Sequence, residues 1–182
     1  TKAVNALSEC FSVSSFRDGE IKKAVFCKGE IQEDCAISKT DKHNGTLISF
    51  TPDNDIFKNF KYIPDHLEDK IWNYAYLNSG LTLKFNNRKY SSKNGLLDLL
   101  EKHTDLEKTK YSIVHLKKED IEIAFTHGVH YGEEYYAFVN GQHTVQGGTH
   151  QIAYREAIVK TIREHFGKNF DPSDVRQSVN TA

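Results

Sequence analysis

The chain has 182 residues, enough for one ordinary domain or two small ones built round a real hydrophobic core. Its composition, 38% hydrophobic and 27% charged, is that of a folded globular protein rather than a disordered or fibrous one, and no apolar run approaches the length of a membrane span. A net charge of −1 gives no bulk attraction to nucleic acid or to an anionic membrane, so any such contact must come from a local patch.

In chain order, the opening "TKAVNALSE" reads as helix, with Val4, Leu7 and Phe11 at i, i+3, i+7 as its buried stripe. "SVSSFRDGEIKKAVFCKGEI" follows as a β-hairpin turned by Asp18-Gly19, and "GTLISFTPD" is a further strand running from Gly45 to Pro52. "YIPDHLEDKIWNYAYLNSG" carries helix signals throughout: Pro64 in the first turn, early acidic residues, a stripe of Leu67, Ile71 and Tyr74, and Gly80 to close the end. Leu81–Phe85 is a strand turned by "NNRK", and "KNGLLDLLEKH" is a second amphipathic helix. Tyr111–Leu116, Ile121–His127 and Glu133–Asn140 read as three strands of an antiparallel meander. A long helix then spans Thr149 to Phe166, with Ile152, Val159, Ile162 and Phe166 on one face and a Glu156–Lys160 pair worth roughly 0.3 kcal/mol. "DPSDVRQ" opens a last short helix or turn. A boundary near residues 101–106 separates two α+β units, each with strands carrying helices on one face.

Self-contained chemistry is scarce. Gly147-Gly148 stands where a strand hands over to a helix, but "VQGGTH" fits neither a phosphate-binding P-loop nor a dinucleotide fingerprint. The bland reading is a tight corner with Thr149 capping the helix. His127, His130, His143 and His150 cluster in sequence without further ligands at zinc spacing, so no metal site is expected. Cys10, Cys27 and Cys35 form no CxxC and read as reduced thiols of a cytosolic protein. Glu68-Asp69 and Glu133-Glu134 read as solvated acidic faces. Arg155, Lys160 and Arg163 fall on the polar side of the long helix, a solvent face by default and a nucleic-acid backbone contact as the alternative. The chain lacks methionine altogether and reads as a piece of a longer polypeptide.

Taken together, "TKAVNALSE", "NGTLISFTPD", "YAYLNSGLTL", "KYSSKNGLLDLLE", "YYAFVNGQHTVQGGTHQIAYREA" and "DPSDVR" occur in an order that resembles the ATPase subunit of bacterial type IIA DNA topoisomerases, the B subunit of gyrase or of topoisomerase IV. The resemblance spans essentially the whole chain, and the "FVN…GGTH…R" block is its most specific part. It implies an α+β fold. Residues 1–102 would be the C-terminal portion of a GHKL ATPase sandwich, and residues 103–182 most of a transducer with the ribosomal-protein-S5-like fold.

It also implies ATP and Mg²⁺ as cofactors, DNA and an A-type topoisomerase subunit as partners, a B-subunit homodimer, and a cytoplasmic, nucleoid-associated protein with no membrane contact. Thr1 and Lys2 match the helix start behind the family's ATP lid, and Thr46 matches its adenine-side threonine on what reads as an interior strand. The family's catalytic glutamate, magnesium-binding asparagine, adenine-reading aspartate and phosphate-reaching lysine have no counterpart among these residues. Negligible hydrolysis and weak nucleotide binding are therefore expected of the 182 residues alone. Two alternatives stand beside this reading: a non-enzymatic relay or DNA-contacting module using Arg155, Lys160 and Arg163, and a mismatch-repair-type GHKL fragment, against which "VQGGTH" argues.

Overall fold

A computed structural model describes residues 1–182. The chain divides into two compact units, Thr1–Tyr62 and Ile63–Ala182. The 102/103 boundary expected from the sequence falls inside the second of these units.

In the first unit, α1 (Lys2–Ala6) lasts barely more than a turn before the chain extends into β1 (Ser8–Arg17). Phe11 is therefore a strand residue and not the third member of a helical stripe; it is buried in β1 while Val4 and Leu7 stay exposed. Ser8 donates its hydroxyl to the Val4 carbonyl where the helical run ends, after which the apolar/polar alternation Phe11-Ser12-Val13-Ser14 favours strand. β2 (Glu20–Cys27) pairs antiparallel with β1. The hairpin turns where expected: Asp18 (φ 53°) and Gly19 (φ 81°) are both left-handed, the twist that a two-residue hairpin needs.

β3 (Glu30–Asp34) and the short β4 (Ser38–Lys39) both pair with β2, and β5 (Gly45–Pro52) pairs with β1. The order β3-β2-β1-β5 puts β5 at an edge, so Thr46 lies on an edge strand rather than an interior one. Beyond β5, buried Asp53 accepts the Asp55 amide and pairs with Lys28 at 3.2 Å, which ties the strand's end to the β2–β3 turn. The three cysteines are free thiols.

In the second unit α2 (Pro64–Leu77) starts at its proline as expected, but its inward residues are Ala75 and Tyr76. Tyr74 is 52% exposed, so the stripe drawn through it is displaced by a residue or two. The helix ends on Asn78, and Gly80 (φ 87°) takes the left-handed conformation two residues later, in the loop. The hairpin of β6 (Leu83–Phe85) and β7 (Arg88–Tyr90) leads to α3 (Leu96–His103). Asp98 reaches back from the first turn of α3 to the Ser92 hydroxyl and to the Lys93 and Asn94 amides, fixing the entry loop. Gly95 is left-handed (φ 64°), and a β-carbon there would lie 2.8 Å from a Glu122 carboxylate oxygen and 3.2 Å from the Tyr76 carbonyl. Only glycine fits.

β8 (Val114–Lys117) and β9 (Glu122–His127) form the expected hairpin. The third strand of the expected meander does not continue it. It breaks into β10 (Glu134–Tyr135) and β11 (Phe138–Val139), the latter turning through Asn140-Gly141 into β12 (Gln142–His143). α4 (Thr149–Phe166) and α5 (Pro172–Arg176) follow, and β13 (Val179–Thr181) then inserts between β9 and β10, parallel to β10 and antiparallel to β9. The sheet order is β10-β13-β9-β8. Tyr76, Leu96, Leu99, Leu100, Ala124 and Ala182 form the core, with Trp72 and Tyr136 packed against it. On α4, Val159 is buried and Ile158 and Ile162 are half-buried, whereas Ile152 and Phe166 point outward, so the predicted face holds only at its centre.

Candidate functional site

Two sets of residues carry the functional reading, one in each unit. In the first unit Lys2 opens α1, and the Thr1 carbonyl accepts the first helical bond from the Asn5 amide at 2.9 Å. The amides of the opening turn have no side-chain cap, and the buried Asn5 Oδ1 has no partner. Thr46 is exposed opposite Ser15. The register sets Pro52 opposite Ser8, so Thr46 lies roughly 20 Å along β5 from the α1–β1 junction. No direct contact joins it to Thr1 or Lys2. The opening amides of α1 and the exposed Thr46 hydroxyl are donors without a protein partner. Nothing among them would position an attacking water.

The second set is denser. The Glu133 carboxylate, just before β10, is a hub rather than the solvated acid that its neighbour Glu134 is. One of its oxygens accepts from the Tyr135 hydroxyl at 2.6 Å and from Arg155 Nε at 2.9 Å, and the other from Arg176 Nε at 3.1 Å. Burial works against the carboxylate, but the hydrogen bonds from Arg155, Tyr135 and Arg176 prevail and hold it below the usual glutamate range. Arg155 also sits over the Tyr135 ring, 5.5 Å from its centroid. Burial pushes the Tyr154 phenol up to about 12, and burial with the Glu133 bond pushes Tyr135 up as well, so both are neutral phenols at physiological pH, Tyr135 donating to Glu133 and Tyr154 accepting from the Thr181 hydroxyl.

Further along α4, Arg163 donates from Nε and a terminal nitrogen to the Phe170 carbonyl at 2.9 and 2.6 Å, closing the loop into α5. Lys160 pairs with Glu164 at 3.8 Å instead of with Glu156, a weak and exposed bridge. Arg155, Lys160, Arg163 and Arg176 line one groove of about 340 Å³. The structure thus brings the three cations singled out from sequence to one place. It adds Arg176, which sequence reasoning passed over, and Glu133, which the sequence reading took for a solvated acid.

The glycine corner resolves simply. Gly147 (φ 74°) is left-handed and its amide closes a turn onto the Thr144 carbonyl at 2.9 Å, while Gly148 is extended. Thr149 makes no capping bond, contrary to expectation; Gly148 stands at the cap position with no side chain to offer. The histidines go to separate tasks. His127 bonds the Tyr111 hydroxyl and the Val175 carbonyl, His150 contacts the Thr144 hydroxyl at 3.2 Å, and no group of three metal-binding side chains forms.

The class is set by the fold. The ATPase region of Thermus thermophilus gyrase B, solved with an aminocoumarin, matches 97% of this chain and 56% of its own length at a TM-score of 0.78 and 24% identity. The fold is therefore that of a gyrase-type ATPase region. The chain itself belongs to the DNA gyrase B family, whose pattern covers residues 85–179, just over half of it. Among its relatives, the B subunit of DNA topoisomerase 4 from Borreliella burgdorferi is 41% identical over 98% of this chain and 30% of that protein. The B subunit of DNA gyrase from Thermotoga maritima is 30% identical over 97% and 32% respectively. The chain spans about a third of the length of these relatives.

Proposed function

We propose that this chain is a section of the ATP-hydrolysing B subunit of a type IIA DNA topoisomerase, which couples ATP binding and hydrolysis to the passage of one duplex through another. The observation that carries this is the 41% identity, across 98% of the chain, to a topoisomerase 4 B subunit. As homologous parts, residues 1–102 correspond to the end of the ATPase domain and 103–182 to most of the transducer. In the whole subunit ATP with Mg²⁺ is the cofactor, and DNA, an A-type subunit and a second B subunit are the partners, in the bacterial cytoplasm at the nucleoid.

Thr1 and Lys2 lie at the phosphate end of the nucleotide and Thr46 at its adenine. Bound nucleotide supplies the hydrolysable γ-phosphate; these three residues only hold its margin. Phosphoryl transfer to water needs a positioned base and charge stabilisation at the γ-phosphate, and residues 1–182 supply neither. The 182 residues are therefore expected to hydrolyse no ATP. A phosphate-release assay tests this, and turnover above background that is abolished by Thr46→Ala would refute it. Arg155, Lys160 and Arg163 face the duplex phosphates. Lys160, whose only ion pair is weak and exposed, is the freest of them to do so. Lys160→Glu should weaken duplex binding and flatten its salt dependence.

A further inference from the structure

We propose that Arg176 is a fourth duplex-phosphate contact, and that Glu133 is the positioning residue that holds Arg155 and Arg176 in place for it. This rests on the reading that the α4 cations face a duplex. One carboxylate serves two guanidiniums here, which leaves one positive charge unmatched in a partly buried setting; the Glu133, Arg155 and Arg176 side chains are 19%, 38% and 24% exposed. Neutralisation alone would need a single arginine.

The way each arginine is held carries the argument further. Arg155 spends Nε and one terminal nitrogen on Glu133, and Arg176 spends only Nε on it. Arg163 spends Nε and one terminal nitrogen on the Phe170 carbonyl. All three guanidiniums are fixed by their inner edge and keep donors unspent, and all three line the same groove with Lys160. A planar fork already fixed by the protein loses little freedom when it meets a phosphate oxygen. Glu156 and Glu164 line the groove too, so the positive surplus is small, and geometry more than net charge has to supply the contact. The ligand chemistry is a phosphodiester, repeated along a duplex.

The test is duplex affinity of the 182-residue chain as a function of salt, with Trp72 fluorescence reporting that each variant is folded. Arg176→Gln should weaken binding several-fold and reduce the slope of log affinity against log salt by about 0.9, the value of one phosphate contact. Arg176→Lys, which keeps the charge but loses the fork, should also weaken it. Glu133→Gln gives opposite signs for the two explanations. Removing a negative charge tightens duplex binding if only charge matters, whereas releasing both arginines weakens it if position matters. Weaker binding supports the proposal, and equal or tighter binding overturns it. If Lys160→Gln weakens binding while Arg176→Gln and Glu133→Gln leave it unchanged, this inference fails and the duplex reading survives. If the unaltered chain binds no duplex, both fall. Inorganic phosphate at the same ionic strength should compete no better than chloride; stronger competition would make the groove a site for a free anion and overturn the duplex assignment.

Discussion

The two units spend their apolar residues differently. In Thr1–Tyr62 only Phe11 and Phe16 are buried hydrophobics, and β5 exposes Leu47, Ile48 and Phe50 to 58%, 44% and 44%. Leu47 and Ile48 are successive residues on opposite faces, so both sides of that strand are open. In Ile63–Ala182, by contrast, α2, α3, β9 and the end of β13 enclose a core in which Leu99 and Leu100 are 1% and 0% exposed. One unit is a sheet held largely by its ladder; the other closes a core of its own. The residues proposed for function follow the same division: Thr1, Lys2 and Thr46 sit on open surface, whereas Arg155 and Arg176 are held by a partly buried carboxylate.

If this contrast is right, equal truncations should have unequal effects. Leu100→Ala should lower unfolding free energy by about 2–5 kcal/mol in urea, read from Trp72, which stacks on Tyr76 at the core. Leu47→Ala should change it by less than about 0.5 kcal/mol. A similar cost at both sites would mean that the first unit is packed as tightly as the second.

Gly95→Ala should come next, costing at least about 1–2 kcal/mol for the left-handed backbone alone, with the clash against Glu122 and Tyr76 added. Gly80→Ala, at φ 87° but facing open space, isolates the backbone part, and the difference between the two measures how tightly that core is closed.

A smaller effect should appear with acid. Burial raises the pKa values of Glu122 and Glu133, but their hydrogen bonds outweigh it and both end below the ordinary 4.5. The fold therefore gains from their ionisation above about pH 4.5, and loses that gain as pH falls through the depressed values. In unfolding measured against pH, Glu133→Gln should flatten this acid limb; an unchanged limb would mean that Glu133 is not held as described. The smallest effect belongs to Leu47→Thr, which should leave stability unchanged and improve solubility at the exposed edge, checked by light scattering.

The sequence made legible whatever is local. The β1–β2 turn, the proline start of α2, the α3 pattern and the full extent of α4 all follow from residues within one turn or hairpin. It failed where distant partners decide. Phe11 fits a helical stripe until β2 and β5 claim it on either side as a strand. β13 contributes polar Asn180 and Thr181 to the middle of a sheet, which no strand pattern anticipates. Glu133 looks like a solvated acid beside Glu134 because its partners lie 22 and 43 residues downstream. A weak signal for it existed: an acidic pair at a strand start, followed by arginines on the two helices that come next in the chain. The family resemblance pointed to Thr46, and the polar face of α4 to Arg155, without showing that one is exposed at an edge and the other held by a carboxylate.

The α4–α5 groove is expected to contact a duplex on its own, whereas the nucleotide margin in the first unit does not work alone. One titration tests both parts: duplex affinity of the 182-residue chain across a salt series, with and without saturating Mg²⁺-ATP. Binding should weaken steeply with salt and be the same with and without nucleotide. No duplex binding at low salt, or an affinity that ATP changes, would contradict this expectation.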